Sequence, residues 1–329
     1  MSAYIVTKTP LRVSFNGGGT DMRYYYERET GLALSTTIDK YIYVTVKEHG
    51  DLFDEKIRLN YSETEVLSNF DDIKNNIIRE CLRFLNISNS LYISTIADLP
   101  AMSGLGSSSS FTVGLLNALN VFMGNSLSLE QIAEQASYIE IDVLNAPIGK
   151  QDHYAAAMGG FNLFNFQKSG KVIVENLNYK DNLQKVFNNS MFFWTGKTRS
   201  ATSVLINQKQ NFKKNIENLH LIKNLTIESV ELFKDNFDIN KFGKILDNSW
   251  SIKRKLSDKI SNNEFDILYE KAKKVGAIGG KILGAGGGGF FMIIAEKRYH
   301  EAVKKIYGKY NQIKINPIEY GTKLIYSNV

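Results

Sequence analysis

The sequence predicts an α+β protein that folds into two lobes. Its 329 residues exceed the roughly 150 residues of a typical single domain. Segments with the patterns of strands and helices follow one another without the regular alternation that builds a parallel sheet. The pattern of strand and helix also begins again at Met191. We therefore predict an amino-terminal lobe over residues 1–185 and a carboxy-terminal lobe over residues 186–329.

The first lobe opens with strand-like sequence and continues with amphipathic helices. β-Branched and aromatic residues mark the strands, whereas apolar residues three and four apart mark the helices. Ser128, followed three residues later by Gln131, is the capping-box pattern of a helix start. The predicted strands cover residues 4–15 (broken by Pro10), 37–48 and 91–97, and the predicted helices cover residues 71–86, about 108–123 and 128–145.

The second lobe combines lysine-rich helices with a glycine-rich turn. Its strands are short and apolar, and its helices carry most of the basic residues of the chain. The predicted elements are strands over residues 191–195, 290–295 and about 313–318, helices through about residue 258 and over 263–275 and 299–310, and a turn over 276–289.

Composition excludes several classes of protein. With 43% hydrophobic and 22% charged residues, the chain is neither disordered nor collagen-like. A single cysteine, Cys81, forbids an intrachain disulfide, and with only four histidines a structural transition metal is not expected. Residues 1–12 lack the apolar core of a signal peptide, and no apolar run reaches the roughly 18–20 residues of a membrane span. We expect a cytoplasmic protein.

Charge is divided unevenly between the two parts of the chain. Residues 1–167 hold 12 Lys and Arg against 19 Asp and Glu, a net charge of −7, and residues 168–329 hold 28 against 15, a net charge of +13. A basic half can bind nucleic acid or a polyanionic small molecule, or can simply be a solvated surface. The basic groups lack the interleaved aromatic residues of a single-strand binder, so nucleic acid is the weaker alternative.

A first glycine-rich turn, residues 100–110, joins a predicted strand to a predicted helix. Its glycines expose backbone amides, and the start of the helix adds unpaired N–H groups and the positive end of a dipole. These features form a phosphate cradle, although a well-capped helix would use the same residues. The turn lacks the lysine of a P-loop and the third glycine of a dinucleotide fingerprint.

A second glycine-rich turn, residues 276–289, contains 8 of the 25 glycines in the chain. Apolar residues are interspersed among these glycines, which is unlike a flexible linker. Because glycine loses more entropy on folding than any other residue, so dense a run indicates a backbone pressed closely against another part of the protein or a ligand.

Glu140 and Asp152 lie on either side of a predicted helix end and loop. Phosphoryl transfer needs Mg²⁺, cations for the developing charge and a group that orients or deprotonates the attacking hydroxyl. One carboxylate can hold Mg²⁺ together with a serine hydroxyl, and the other can accept the proton. Either alone would more commonly be a solvated surface group.

Three segments together resemble the GHMP kinases, the superfamily of galactokinase, homoserine kinase, mevalonate kinase and phosphomevalonate kinase. They are residues 9–21, residues 100–108 with the pattern Pro-x-x-x-Gly-Leu-Gly-Ser-Ser, and residues 284–289 with the pattern Gly-Ala-Gly-x-Gly-Gly. The resemblance spans nearly the whole chain. It implies a first lobe like the second domain of ribosomal protein S5, and a ferredoxin-like second lobe.

The same resemblance implies ATP and Mg²⁺ as cofactors. It places the catalytic aspartate at Asp152, its basic partner at Arg12 and the magnesium-binding glutamate at Glu140. Ser107 or Ser108 would supply the hydroxyl that faces Mg²⁺. The implied ATP-binding residues are Pro100, Ser103, Gly104, Leu105, Gly106, Ser107, Ser108 and Ser109.

The acceptor is implied by departures from the galactokinase pattern. Galactokinases have the sequence Gly-Glu-His-Thr-Asp where residues 17–21 are Gly-Gly-Gly-Thr-Asp. Asp21, which would bind sugar hydroxyls, is retained, whereas the Glu and His are absent. The resemblance therefore disfavours galactose as the acceptor. Residues 12–21, 195–201 and 279–290 look most like the heptose phosphate kinases of the superfamily. This implies phosphorylation of a heptose 7-phosphate at C1, with a fucose- or arabinose-type 1-kinase as the alternative and a nucleic-acid-binding protein as a remote one.

A phosphorylated sugar brings a dianion into the site, and arginine can bind phosphate with two hydrogen bonds. Partners are therefore expected to be a small sugar phosphate and ATP, with no nucleic acid and no membrane. The predicted acceptor-binding residues are Gly18, Gly19, Thr20, Asp21, Arg23, Lys197, Arg199, Gly286 and Gly287.

Overall fold

A computed structural model describes residues 3–50, 52–198, 201–234 and 237–328 of the chain. Within these residues the strands form one eight-stranded and one four-stranded sheet. The strands are β1 (Tyr4–Asn16), β2 (Gly31–Glu48), β3 (Ile57–Asn60), β4 (Thr64–Leu67), β5 (Leu91–Ala97), β6 (Phe161–Phe166), β7 (Val172–Asn176), β8 (Ser190–Trp194), β9 (Ala277–Ile282), β10 (Phe290–Ala295), β11 (Asn311–Ile313) and β12 (Lys323–Ser327).

Helices cover both sheets and connect the strands. They are α1 (Arg23–Tyr26), α2 (Asn76–Phe84), α3 (Ser107–Phe122), α4 (Leu129–Tyr138), α5 (Gln151–Met158), α6 (Lys180–Asn188), α7 (Ala201–Gln210), α8 (Phe212–Lys234), α9 (Ile239–Lys253), α10 (Asn263–Lys274) and α11 (His300–Ile306). Single helical turns lie at Phe70–Asp72, Ile139–Val143, Arg254–Leu256 and Lys297–Tyr299.

The long strand β2 organises the first sheet. It pairs along its length with β1, and its other edge pairs first with β6 and then with β5. The strand order is β12-β1-β2-β5-β3-β4, with β7 beyond β6. Helix α3 packs against β1 and β2, and Ser110 in its first turn donates a hydrogen bond to the carbonyl of Pro10 in β1.

The second sheet has the order β11-β8-β10-β9, with antiparallel neighbours throughout. Along the chain its strands and helices follow the βαββαβ sequence of a ferredoxin-like unit. Aromatic side chains join the two lobes in one apolar core. Phe15 packs edge-on against Phe242 at 5.5 Å between ring centroids, and Phe161 packs against Phe233 at 4.7 Å.

The structure confirms the predicted α+β class, the helix starting at Ser107 and the capping box at Ser128. The prediction that Pro10 breaks the first strand is wrong. The strand continues through Pro10, and its pairing with β2 shifts register there instead, which is where a sheet tolerates a residue without an N–H.

Three other predicted boundaries are corrected. The helix expected over residues 71–86 is α2, which begins only at Asn76 after a separate turn. Residues 277–282 form strand β9, so the second glycine-rich turn is shorter than predicted. The last strand is not at residues 313–318: β11 ends at Ile313, and β12 pairs with β1 of the first sheet.

The lobe boundary between residues 185 and 186 stays a prediction. Of the helices in the described part of the chain, none combines the length and the apolar character that crossing a membrane requires.

Candidate active site

The two glycine-rich turns pack against each other, backbone to backbone. Gly104 and Gly284 both have left-handed backbones, with φ of +83° and +74°. A Cβ added to Gly284 would lie 2.6 Å from the Cα of Gly104, and one added to Gly104 would lie 2.4 Å from the carbonyl oxygen of Leu283. This close approach confirms the prediction from the glycine density, and the partner of each turn is the other turn.

The first turn leads directly into α3. Gly106 occupies the capping position with a φ of +79°, and no side chain caps the helix. Two serine hydroxyls of the first helical turn make other hydrogen bonds instead. Ser107 accepts one from the amide of Met102 (3.2 Å), and Ser110 donates one to the carbonyl of Pro10 (2.9 Å). Of the remaining predicted ATP-binding residues, Ser103, Leu105 and Ser109 are buried, and Pro100 and Ser108 are exposed.

Arg12 of β1 and Asp152 of α5 form a bidentate ion pair beside this turn. Arg12 Nε and Nη2 donate to the two carboxylate oxygens at 2.8 and 2.6 Å, and Nη1 donates to the carbonyl of Gly104 at 2.7 Å. The Arg12 side chain is 5% exposed and that of Asp152 is 27% exposed. The carboxylate is therefore the accessible member of the pair.

Glu140 lies in the π-helical turn Ile139–Val143 that continues α4, a distortion frequent at functional sites. Its carboxylate accepts hydrogen bonds from the hydroxyls of Ser108 and Thr112 (2.8 Å each) and contacts His153 Nε2 at 3.0 Å. Burial acts to raise the pKa of Glu140, but His153 and the two hydroxyls outweigh it, so the pKa is lowered. The buried carboxylate is thus held in its charged form.

Asp21 is held next to Asp152 by two peptide N–H groups. Gly19 donates at 2.9 Å and Gln151 at 3.3 Å. Burial raises the pKa of Asp21, and the negative charge of Asp152 raises it as well. The two N–H donors act in the opposite direction but do not cancel the increase. The neighbouring Thr20 serves the fold, because its buried hydroxyl bonds to the carbonyls of Gly17 and Leu32.

Two lysines of the second lobe reach the same region. Lys253, at the end of α9, donates to the carbonyl of Gly284 at 2.6 Å. Lys281 of β9 is buried and donates to the carbonyls of Ser14 (3.0 Å) and Phe15 (2.7 Å). Burial lowers the pKa of Lys253 to about 8, helped by the charge of Arg12. Burial also lowers the pKa of Lys281 well below its usual value, and the charges of Lys253 and Arg12 add to this effect.

Family comparison identifies the chain. The profile of the GHMP kinases N terminal domain matches residues 75–160, and the profile of the GHMP kinases C terminal region matches residues 229–312. The chain belongs to the GHMP kinase family. The predicted phosphotransferase and the predicted two-lobe GHMP kinase fold are thereby confirmed.

Individual relatives resemble this GHMP kinase along most of its length. The D-glycero-alpha-D-manno-heptose 7-phosphate kinase of Campylobacter jejuni is 34% identical over 324 residues, covering 92% of this chain and 94% of that protein. The solved structure of a D-glycero-D-manno-heptose 1-phosphate kinase from Bacteroides thetaiotaomicron is 28% identical, with a TM-score of 0.79 and 97% of each chain covered. That of a putative sugar kinase from Campylobacter jejuni is 30% identical, with a TM-score of 0.78 and 99% of this chain and 98% of that one covered.

Two of the three cations predicted for a substrate phosphate, Arg23 and Lys197, are paired with acidic groups in the kinase. Arg23 bonds to Asp142 at 2.7 Å. Lys197 is 55% exposed and bonds to Glu264 at 3.3 Å. Arg199 lies outside the described residues. The predicted acceptor contacts of these three residues stay predictions.

Gly286 and Gly287 pack against the loop that follows α9. The amide of Gly287 donates to the carbonyl of Ile260 at 2.8 Å, and a Cβ on Gly286 would lie 2.6 Å from the same oxygen. Their close packing thus has a local cause within the second lobe, and their predicted contact with the acceptor stays a prediction.

Four residues of this region were not predicted from the sequence: Gln151, His153, Lys253 and Lys281. Lys281 carried a usable signal, because a lysine among glycine and aliphatic residues in a buried segment needs a specific acceptor. Lys253 carried none, since it stands in a run of three basic residues that reads as a solvated face.

Proposed function

We propose that the kinase transfers the γ-phosphoryl group of ATP to the anomeric C1 hydroxyl of D-glycero-D-manno-heptose 7-phosphate, forming heptose 1,7-bisphosphate. The acceptor is supported by the 34% identity to the Campylobacter jejuni enzyme across 92% of the chain. The reaction is supported above all by the Arg12–Asp152 pair, which Arg12 anchors to the first glycine-rich turn. The product would feed nucleotide-activated heptose for surface glycans, in the cytoplasm.

The triphosphate of ATP would bind at the first glycine-rich turn. Residues 104–109 supply backbone amides there, and α3 is a 16-residue helix without a side-chain cap. Free N–H groups and a positive dipole end attract phosphate oxygens. Pro100, Ser103 and Leu105 would shape the turn.

Asp152 would accept the proton of the C1 hydroxyl as the hydroxyl oxygen attacks phosphorus. A positioned general base of this kind contributes about 10²–10⁴-fold to the rate. Arg12 would orient the carboxylate and stabilise charge on the transferred group, a role that its permanent positive charge allows.

Mg²⁺ fits the oxygen donors at the start of α3. Glu140 offers a buried, charged carboxylate, and the Ser108 hydroxyl lies 2.8 Å from it. Mg²⁺ prefers such hard oxygen ligands and completes its coordination with water and substrate phosphates. Glu140 with Ser108 or Ser107 would hold the ion, which would supply positive charge to offset that of the phosphates.

The acceptor sugar would lie between the turn of residues 17–21 and the start of α5. Asp21 would bind sugar hydroxyls, while Gly18 leaves space where galactokinases carry a larger side chain. The space beside Gly19 is filled within the protein, because an added Cβ would lie 2.7 Å from Gln208 Nε2, so Gly19 would contact the sugar through its backbone. Arg23, Lys197 and Arg199 are the groups proposed for the 7-phosphate. A phosphate dianion would replace Asp142 as the partner of Arg23, and Glu264 as the partner of Lys197.

A substrate panel tests the acceptor. Purified enzyme would be incubated with ATP, Mg²⁺ and heptose 7-phosphate, heptose 1-phosphate, free heptose, fucose or arabinose, and ADP release measured. We expect heptose 7-phosphate to give the highest kcat/KM, with a product whose new phosphorus signal couples to the anomeric proton. Asp152→Asn is the inactive control, and Asp181→Asn on α6 is the matched substitution away from the site.

The other outcomes of the panel are equally informative. Preference for fucose or arabinose would support the alternative 1-kinase and refute the heptose assignment. Preference for heptose 1-phosphate would mean that the enzyme phosphorylates a hydroxyl other than the one at C1.

A further inference from the structure

Lys253 lies where the second lobe meets the turn of residues 17–21. Its half-buried ammonium group donates to the carbonyl of Gly284, in the second glycine-rich turn. The same nitrogen is 4.0 Å from the position that a Cβ would take on Gly18, in the turn predicted to bind the sugar. One side chain of α9 therefore reaches both turns.

Arg12 and Lys253 each donate a hydrogen bond to a glycine carbonyl in one of the two glycine-rich turns. Arg12 donates to the carbonyl of Gly104, and Lys253 donates to that of Gly284. These two glycines are in backbone contact, so the cations come from opposite lobes to one small region. The charge of Asp152 acts on both, because it pairs with Arg12 and opposes the lowering of the Lys253 pKa.

The hydrogen-bonding capacity of the Lys253 ammonium group is only partly used within the described part of the chain. Among the described residues, Lys253 Nζ has a hydrogen bond to a single acceptor, Gly284, although an ammonium group carries three donors. A partly buried charge is costly without a partner. Burial and the charge of Arg12 lower the pKa of Lys253 to about 8, against the opposing charges of Asp21 and Asp152. Within the described residues neither carboxylate hydrogen-bonds to the ammonium group, whose bonded acceptor is the carbonyl of Gly284.

We propose that Lys253 is a catalytic residue whose ammonium group binds the nonbridging oxygens of the transferred phosphoryl group. The proposal rests on the proposed function, with ATP as the donor. The acceptor hydroxyl oxygen forms a bond to the γ-phosphorus as the bond to the bridging oxygen breaks, and that electron pair leaves with ADP. The hydroxyl proton passes to Asp152, while Lys253 stays protonated and contacts the phosphoryl oxygens together with Arg12.

Three variants test this role. Lys253→Met removes the charge, Lys253→Arg keeps it, and Lys244→Met removes an exposed lysine from the same helix as a matched control. We expect Lys253→Met to lower kcat about 10²–10³-fold, as the loss of one donor to transition-state charge does, with each KM within about threefold of wild type. Lys253→Arg should recover at least tenfold. ADP with aluminium fluoride, which mimics the transferred group, should bind tighter than ADP to wild type but not to Lys253→Met.

Two results would overturn the proposal. One is a kcat of Lys253→Met within threefold of wild type; the other is a loss confined to the KM of the sugar, which would place Lys253 on the acceptor instead.

Labelling of the unmodified enzyme gives a readout that does not depend on variants. Acetic anhydride modification of Lys253 and Lys244 would be followed by mass spectrometry, with and without ADP, Mg²⁺ and aluminium fluoride. We expect the complex to slow modification of Lys253 at least fivefold and to leave Lys244 unchanged. Equal labelling of Lys253 in both conditions refutes the role. Failure of wild type on heptose 7-phosphate would refute the acceptor alone, since labelling uses no sugar.

Discussion

Replacing Gly104 with alanine should push the two glycine-rich turns apart. The new Cβ would lie 2.4 Å from the carbonyl oxygen of Leu283, whereas real Cβ atoms essentially never approach within 3.0 Å of such an atom. The turns must separate by at least 3.0 − 2.4 = 0.6 Å. Overpacking of this kind costs about 1–3 kcal/mol, and alanine at positive φ costs roughly 1–2 kcal/mol more. The expected loss of stability is about 2–5 kcal/mol.

Gly170→Ala is the matched control for this substitution. Its φ of +85° is close to the +83° of Gly104, but nothing lies within 4 Å of its added Cβ. It should lose only the roughly 1–2 kcal/mol that the backbone conformation costs. The difference between the two variants therefore isolates the contact between the turns.

Urea unfolding and steady-state kinetics with varied ATP would measure both consequences. A displacement approaching 1 Å at a phosphate cradle can cost about 10²-fold, so Gly104→Ala should lower kcat/KM for ATP by about 10- to 100-fold. Gly170→Ala should leave it within threefold of wild type. If the two variants are equally stable and equally active, the contact between the turns does not shape the ATP site.

Three further substitutions probe the proposed roles of single residues. Asp152→Asn should lower kcat by about two to four decades, while ADP binding, measured by calorimetry, stays intact because the phosphate cradle is untouched. Glu140→Gln should raise the Mg²⁺ concentration that gives half the maximal rate by roughly tenfold or more, since a charged oxygen ligand is lost. Arg23→Ala should shrink the preference for heptose 7-phosphate over free heptose by about one to two decades in kcat/KM, with the KM for ATP unchanged.

Each of these expectations has a clear contrary outcome. A kcat within threefold of wild type removes Asp152 from the role of base. An unmoved Mg²⁺ dependence assigns the ion to a carboxylate other than Glu140. A preference that survives Arg23→Ala and also Lys197→Ala places the substrate phosphate on other groups.

The parts of the fold that follow from local sequence were predictable. The start of α3 and the capping box at Ser128 depend on residues within a few positions of each other, and both were predicted correctly. The hairpins β3–β4 and β6–β7 were missed because short strands carry too few residues for a clear period. The pairing of β12 with β1 was missed because it depends on residues far apart in the chain.

The residues of the candidate site also fall into those that were predictable from local sequence and those that were not. Arg12 lies in the first of the three motifs, and the family resemblance assigns roles to Glu140 and Asp152 by their positions, so all three were proposed before any geometry was known. Lys253 and Lys281 belong to the second lobe and meet β1 and its turn only through the packing of the lobes. Nothing local distinguishes Lys253 from a surface lysine, because its acceptor is a carbonyl 31 residues away.

The pairing of β12 with β1 has a consequence for the order in which the protein can fold. Lys8 meets its partner Lys323 across 315 residues of chain. During synthesis, the edge of β1 that faces β12 must wait until the whole second lobe has left the ribosome. A first lobe produced alone would leave that edge open to pairing with other chains, a recognised route to aggregation. Completion of the first sheet therefore depends on synthesis of the second lobe.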